Sequence, residues 1–181
     1  MTIPRAIIRQ LAAHEFEDAY RIVVDAAAWL QEQRLPWWLI SAELYQEHQI
    51  AGRNYGIFDA GNLCGVVTIS TEIPVHWGSS ITHPSCVWVS TVARIRTVPK
   101  PYGKQLMAFA EQNARHIQRM ALYLDCYYGT GKLPQYYQQL GYEWVERKSF
   151  SFADGSVHDS VLFRKLLRMP EDVQVDLNRG C

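Results

Sequence analysis

The sequence predicts an α/β fold with a mixed, mostly antiparallel sheet, on two patterns and the order in which they occur. Short apolar runs such as Cys86-Val87-Trp88-Val89 and Ala121-Leu122-Tyr123-Leu124 alternate with stretches whose apolar residues recur at three- and four-residue steps. The order is strand, two helices, three strands, helix, strand, helix, two strands. That order makes the first four strands antiparallel, and the helical crossover after the fourth sets the fifth parallel to it.

Each element has its own signal. Ala6-Ile7-Ile8-Arg9-Gln10 is a short first strand. Phe16, Tyr20, Val23, Ala27 and Leu30 share one face, which makes His14 to about Gln33 an amphipathic helix. Leu35-Pro36-Trp37-Trp38 ends it, because proline disfavours helix at the preceding residue. Ser41 caps a second short helix that runs to about Gln49. Strands Asn54 to Asp59 and Leu63 to Ser70 are joined by the turn Ala60-Gly61-Asn62. Thr71 to Ser85 is a long loop with two prolines, and loops of that length usually carry function or move. A strand Cys86 to Arg94, a helix from Tyr102 to about Gln118, a strand Met120 to Cys126 and a helix Leu133 to Leu140 follow. Tyr142 to Phe152 and Val157 to Leu166 close the fold as a hairpin around Asp154-Gly155. Residues 1–168 then form a single domain, and 169–181 a polar, frayed tail.

Composition narrows the function classes. An apolar share of 48% and a charged share of 20% suit an ordinary globular chain, long enough at 181 residues for one real core. A net charge of +0 gives no footprint for nucleic acid or an anionic membrane. Ala26 to Leu30, the longest apolar run, is far short of a bilayer span. Met1-Thr2-Ile3-Pro4-Arg5 lacks the apolar core of a signal peptide, so a cytoplasmic location is expected. Cys64, Cys86, Cys126 and Cys181 have no paired spacing, and no metal is expected. Gly-x-Ser-x-Gly, Gly-Lys-Ser/Thr and paired-histidine motifs are absent from the sequence.

The chemistry is concentrated between Cys86 and Tyr142. The strand Cys86 to Arg94 leads through Pro99-Lys100-Pro101-Tyr102-Gly103-Lys104 into a helix. Such a junction makes an anion site, because free N–H groups and the helix dipole both point there. The next strand precedes Leu133-Pro134-Gln135-Tyr136-Tyr137-Gln138-Gln139-Leu140-Gly141-Tyr142, whose Tyr-x-x-x-Gly-Tyr ending brings a hydroxyl towards the same crevice. This order resembles the cofactor half of the GNAT acyltransferases. Trp29-Leu30, Leu35-Pro36-Trp37-Trp38, Glu72 with His76-Trp77, and Tyr123-Leu124-Asp125-Cys126 extend the likeness over roughly Ile7 to Leu167, towards a small bacterial subgroup with unassigned substrates.

The resemblance implies an acetyl-CoA-dependent N-acetyltransferase acting on a small primary amine, with the central parallel pair splayed to hold the cofactor. It implies that the backbone of Val92 and Arg94 meets the acetyl carbonyl and pantetheine. It also implies that pyrophosphate sits on N–H groups of Tyr102, Gly103, Lys104 and Gln105, with Lys100 and Lys104 adding charge. The family's Arg/Gln-x-x-Gly-x-Gly/Ala turn corresponds here to Val98 through Gly103, of which only the glycine matches; Pro101 replaces the first glycine and has no N–H. Thr130 stands where an asparagine is common. Arg94 and Arg96 are either phosphate contacts or solvated residues.

By the same likeness Tyr137 lies near the thioester sulfur, and a phenol can protonate a departing thiolate of comparable basicity. Tyr136 is expected to pack. Glu72 is a candidate base or substrate anchor, and His76 is in the same loop. Trp37, Trp38 and Trp77 either plug the domain or wall an acceptor pocket. The partners expected are a small-molecule amine and no nucleic acid or membrane; a homodimer is compatible. The alternative is a non-catalytic acyl-CoA- or ligand-binding domain of the same fold, its phosphate loop degenerate.

Overall fold

A computed structural model describes residues 6–35, 39–151 and 157–168. Strands β1 (Ile7–Gln10), β2 (Asn54–Asp59), β3 (Asn62–Ser70), β4 (Cys86–Arg94), β5 (Ala121–Tyr127), β6 (Glu143–Ser151) and β7 (Val157–Leu166) form one sheet in the order β1-β2-β3-β4-β5-β7-β6. Helices α1 (Phe16–Glu32), α2 (Ala42–Ile50), α3 (Tyr102–His116) and α4 (Lys132–Gln139) cover it. All neighbouring strands are antiparallel except β4 and β5, which are parallel.

The layers follow from side-chain periodicity. In α1, Ala19, Ile22, Val23 and Ala26 are buried, and this stripe packs on Val66 and Ala93 of the sheet. In α3, Tyr102, Leu106, Met107, Ala110 and Ala114 form the opposite layer, against Val67, Ile69, Val87 and Val89. Ser41 caps α2 as expected, accepting a hydrogen bond from the Leu44 N–H at 3.2 Å. Ala60 and Gly61 turn the β2–β3 hairpin with φ of 49° and 83°, the mirror-image turn that matches strand twist.

Gly65 is required where β3, β4 and α3 meet. A Cβ there would lie 2.9 Å from the Ala93 carbonyl oxygen and 3.2 Å from Leu106. Gly65→Ala is therefore expected to destabilise the fold by about 1–3 kcal/mol, as overpacking does, by forcing backbone to shift; a lower Tm in calorimetry checks it.

The β4–β5 pairing is short. It joins Cys86 to Ala121, Val87 to Leu122 and Trp88 to Tyr123, and then stops. On its other edge β4 carries an irregularity between its pairings with Val66 and Thr68, and Thr91 adopts a left-handed φ of 51° within it. A bulge bends a strand and increases its twist. From Val89 onwards β4 consequently has no partner in β5, and a gap opens in the sheet centre.

Candidate active site

Two structures frame this gap, one on each face of the sheet. On the first face the N-terminus of α3 and the N-terminal half of α4 bound a cleft of about 310 Å³ lined by Arg94, Lys100, Pro101, Gly103, Lys104, Leu133 and Tyr136. Pro101 is the residue ahead of the helix, φ −80°, and α3 begins at Tyr102. The Tyr102 N–H donates to the Lys100 carbonyl at 2.9 Å and the Gln105 N–H to that of Pro101 at 3.2 Å. Of the four N–H groups expected to face phosphate, Tyr102 and Gln105 are thus used internally, which leaves Gly103 and Lys104. The Tyr102 side chain is 2% exposed in the core, and its hydroxyl donates to Asp59 at 2.7 Å. Lys100 is also bonded to Asp59, so its charge is partly neutralised within the loop. A Cβ on Gly103 would meet the Tyr136 hydroxyl at 3.3 Å, so this glycine keeps the cleft open.

Arg94 lines the cleft and also donates to the Ile95 carbonyl at 3.0 Å. Arg96 turns away, with its guanidinium 3.3 Å from the Trp29 ring centroid on α1. Thr130 is exposed in the turn before α4 and is not among the residues lining the cleft. Val92 and Arg94 lie on the stretch of β4 past the last β5 pair, so their backbone borders the gap.

The tyrosine pair on α4 divides between cleft and core. Tyr136 packs against the core, as expected, and is half-buried, also lining the cleft wall. Tyr137 is 9% exposed, with its ring against Tyr136, Tyr142 and Phe163 at centroid distances of 5.2, 6.0 and 5.9 Å. Burial pushes its phenol well above the ordinary value, with Cys126, Tyr136 and Asp125 pushing the same way. The ring therefore sits beneath the end of β5 and stays protonated. Burial also pushes the Cys126 thiol up to about 12.

The second face is built from β5, β6 and the 3₁₀ segment Val75–Ser80. Trp77 is 0% exposed and packs edge-on against Phe150 at 5.3 Å. Its Nε1–H donates to Asp125 Oδ2 at 2.9 Å. Complete burial makes Trp77 a plug with a hydrogen-bonding duty, which corrects the expectation of a substrate-facing wall. His76 is exposed and edge-on to Phe150 at 5.0 Å. Trp37 and Trp38 lie outside the described residues.

Glu72, the candidate base or substrate anchor, is already paired with a cation. Its carboxylate takes both Arg53 guanidinium nitrogens, one at 2.8 Å, and that pairing holds it below the usual carboxylate range. An ion-paired acid of low pKa is a poor proton acceptor. Glu72→Gln is expected to leave Tm and kcat near wild type, since an exposed ion pair contributes little; a collapse of kcat would return the base role to this residue.

Sequence reasoning leaves Asp125 unassigned. Its signal is a single carboxylate in the otherwise apolar run Ala121 to Cys126. Desolvation raises its pKa, opposed by the Trp77 hydrogen bond and by His76. Among the described residues no cluster of histidine, cysteine, aspartate or glutamate could hold a metal ion, and no helix is long and apolar enough to cross a membrane.

Comparison with solved structures places this architecture. An acetyltransferase of the GNAT family from Listeria monocytogenes 4b F2365 superposes with a TM-score of 0.74 at 19% identity, covering 90% of this chain and 95% of its own. The ribosomal-protein-S18-alanine N-acetyltransferase from Escherichia coli gives 0.68 at 15% identity, covering 93% and 98%. The yncA protein of Salmonella typhimurium, solved with its cofactor acetyl-CoA, gives 0.66 at 12% identity, covering 95% and 99%. No protein-family model and no curated protein sequence matches the chain. The chain has the fold of the GNAT N-acetyltransferases, with the mostly antiparallel sheet and single parallel pair expected of it.

Proposed function

We propose that the protein is an acetyl-CoA-dependent N-acetyltransferase that transfers directly to a small-molecule primary amine. The observation that carries this is the early end of the β4–β5 pairing, with the α3 cleft lined by Arg94, Gly103 and Lys104 beside it. The residues present fit the cosubstrate. Arg94, Lys104 and the N–H groups of Gly103 and Lys104 would hold its phosphates, and the unpaired β4 edge at Val92 and Arg94 would hold its amide arm.

The chemistry follows from the protonation states. The amine lone pair forms a C–N bond to the thioester carbonyl carbon as the C–S bond breaks. The Tyr137 hydroxyl gives its proton to the departing sulfur, and the surplus proton on the new amide nitrogen restores the phenol. The phenol carries its proton at neutral pH, as a general acid must, and burial weakens it as an acid. The raised Cys126 thiol supports direct transfer, because a thiol protonated at neutral pH is a weak nucleophile.

Thiol release from acetyl-CoA with a panel of amines tests the reading, alongside calorimetry of acetyl-CoA binding. Lys104→Glu is expected to weaken that binding about tenfold or more, the loss of one charge-assisted contact, without changing kcat. Pro101 in place of a glycine and Lys100 bound to Asp59 favour a second reading, a non-catalytic acyl-CoA-binding domain. Binding with no thiol release for any amine would establish it.

A further inference from the structure

We propose that Asp125 receives the acceptor's ammonium group, and that the acceptor is a monocationic amine. This rests on the acetyl-transfer reading and names the substrate class for it.

Position comes first. Strand alternation sends Leu122, Leu124 and Cys126 into the α3–α4 core, and Ala121 and Tyr123 into the cluster around Trp77. Asp125 follows Tyr123 on that second side, as its hydrogen bond to Trp77 requires. The last β4–β5 pair is Trp88 with Tyr123, so the carboxylate stands one strand repeat into the gap. Tyr137 approaches the same stretch of β5 from the other face. An acyl group held in the gap would have a proton donor on one side and a carboxylate on the other.

Charge sets the class of acceptor. Three carboxylates on the segments around it each have a cation. Glu72 is bound to Arg53, Glu146 to Lys148 and the Ser80 hydroxyl, and Asp159 to Arg147 and the Ser149 hydroxyl. Asp125 has the neutral Trp77 N–H and no ion pair among the described residues. The groups that act on it are His76 and Trp77 from the 3₁₀ segment, its neighbour Cys126, and Tyr137 on the opposite face, with Lys148 of β6 beyond the Trp77 ring. Lys148 is spent on Ser80, at 2.6 Å, and stands 5.0 Å from the Trp77 ring centroid. A desolvated carboxylate without a cation is costly, and an incoming ammonium relieves that cost. Its ammonium proton passes to Asp125, freeing the nitrogen lone pair, and then leaves to water.

A polyamine would need a second unpaired anion there, and an amino acid a free cation for its carboxylate; Arg53, Arg147 and Lys148 are all engaged. Two residues further along β5, Tyr127 and Tyr128 open a cleft of about 390 Å³ with Arg147, Val157 and Asp159. Its cation is fixed over a ring, with Arg147 3.9 Å from the Tyr128 centroid. The body of the acceptor would extend along β5 towards this mixed polar and aromatic cleft.

The test uses the full chain, saturating acetyl-CoA and three probes: 2-phenylethylamine, spermidine and alanine. Thiol release with 2-phenylethylamine is expected to exceed that with the other two by about tenfold, the scale of one unmatched charge. Asp125→Asn keeps an oxygen for Trp77 and should retain the fold by circular dichroism and the acetyl-CoA Kd by calorimetry. It should lower kcat/KM by about 10²–10⁴ and remove the acid limb of its pH profile. Asp125→Glu should keep that limb. Tyr127→Ala should raise KM and leave kcat. Unchanged kcat/KM and acid limb in Asp125→Asn, or a preference for spermidine or alanine, would overturn the inference while thiol release upholds the acetyl-transfer reading. Acetyl-CoA that fails to bind the wild type would overturn both.

Discussion

Replacing Tyr137 by phenylalanine is expected to lower kcat by about 10²–10⁴, the range lost with a general acid. The ring contacts with Tyr136, Tyr142 and Phe163 survive the change, so Tm should hold. The hydroxyl acts only as the sulfur departs, so acetyl-CoA affinity should hold as well. Tyr136→Phe is expected to give the opposite split. Its hydroxyl reaches towards Gly103 in the phosphate cleft, so cosubstrate binding should weaken while kcat stays near wild type. Steady-state kinetics and calorimetry on the two variants separate the roles. A crippled Tyr136→Phe beside an intact Tyr137→Phe would exchange them.

Trp77→Ala is expected to destabilise the fold by about 3–5 kcal/mol, as large buried aromatic truncations do. That is a large fraction of the total stability of a domain. The side chain is 0% exposed, joins the 3₁₀ segment to Phe150, and satisfies Asp125. Urea unfolding should show a lower midpoint. Trp77→Phe keeps an aromatic ring in the core, but removes the N–H and part of the indole volume. Because that hydrogen bond favours ionised Asp125, its loss should raise the carboxyl pKa further. The acid limb of kcat/KM should then move to higher pH, since the carboxyl must be ionised to accept a proton. An unmoved limb would detach Asp125 from the profile.

The fold was legible wherever one local signal sufficed. The strand Cys86 to Arg94 lies where its apolar run put it, and Ser41 caps α2. The Ala60-Gly61 turn and the parallel setting of β5 against β4 also follow the sequence reading. Helix periodicity placed α3, and only its last turn is shorter than expected, ending at His116. The site was less legible, because its chemistry depends on pairings between distant positions. Glu72 reads as a free acid until Arg53, on the far side of a hairpin, is seen to bind it. Lys100 reads as a phosphate ligand until Asp59 is brought beside it.

The sequence by itself determined the order of elements, the faces they bury and the crossover that makes one strand pair parallel. These depend on periodicity and turn chemistry, which are local. Tertiary structure alone decided which of Tyr136 and Tyr137 faces the cleft, where the sheet opens, and which carboxylate lacks a cation. Those outcomes turn on the bulge at Thr91 and on desolvation of Asp125 beneath Trp77. Burial and charge pairing are properties of packed neighbours, and no spacing along the chain encodes them.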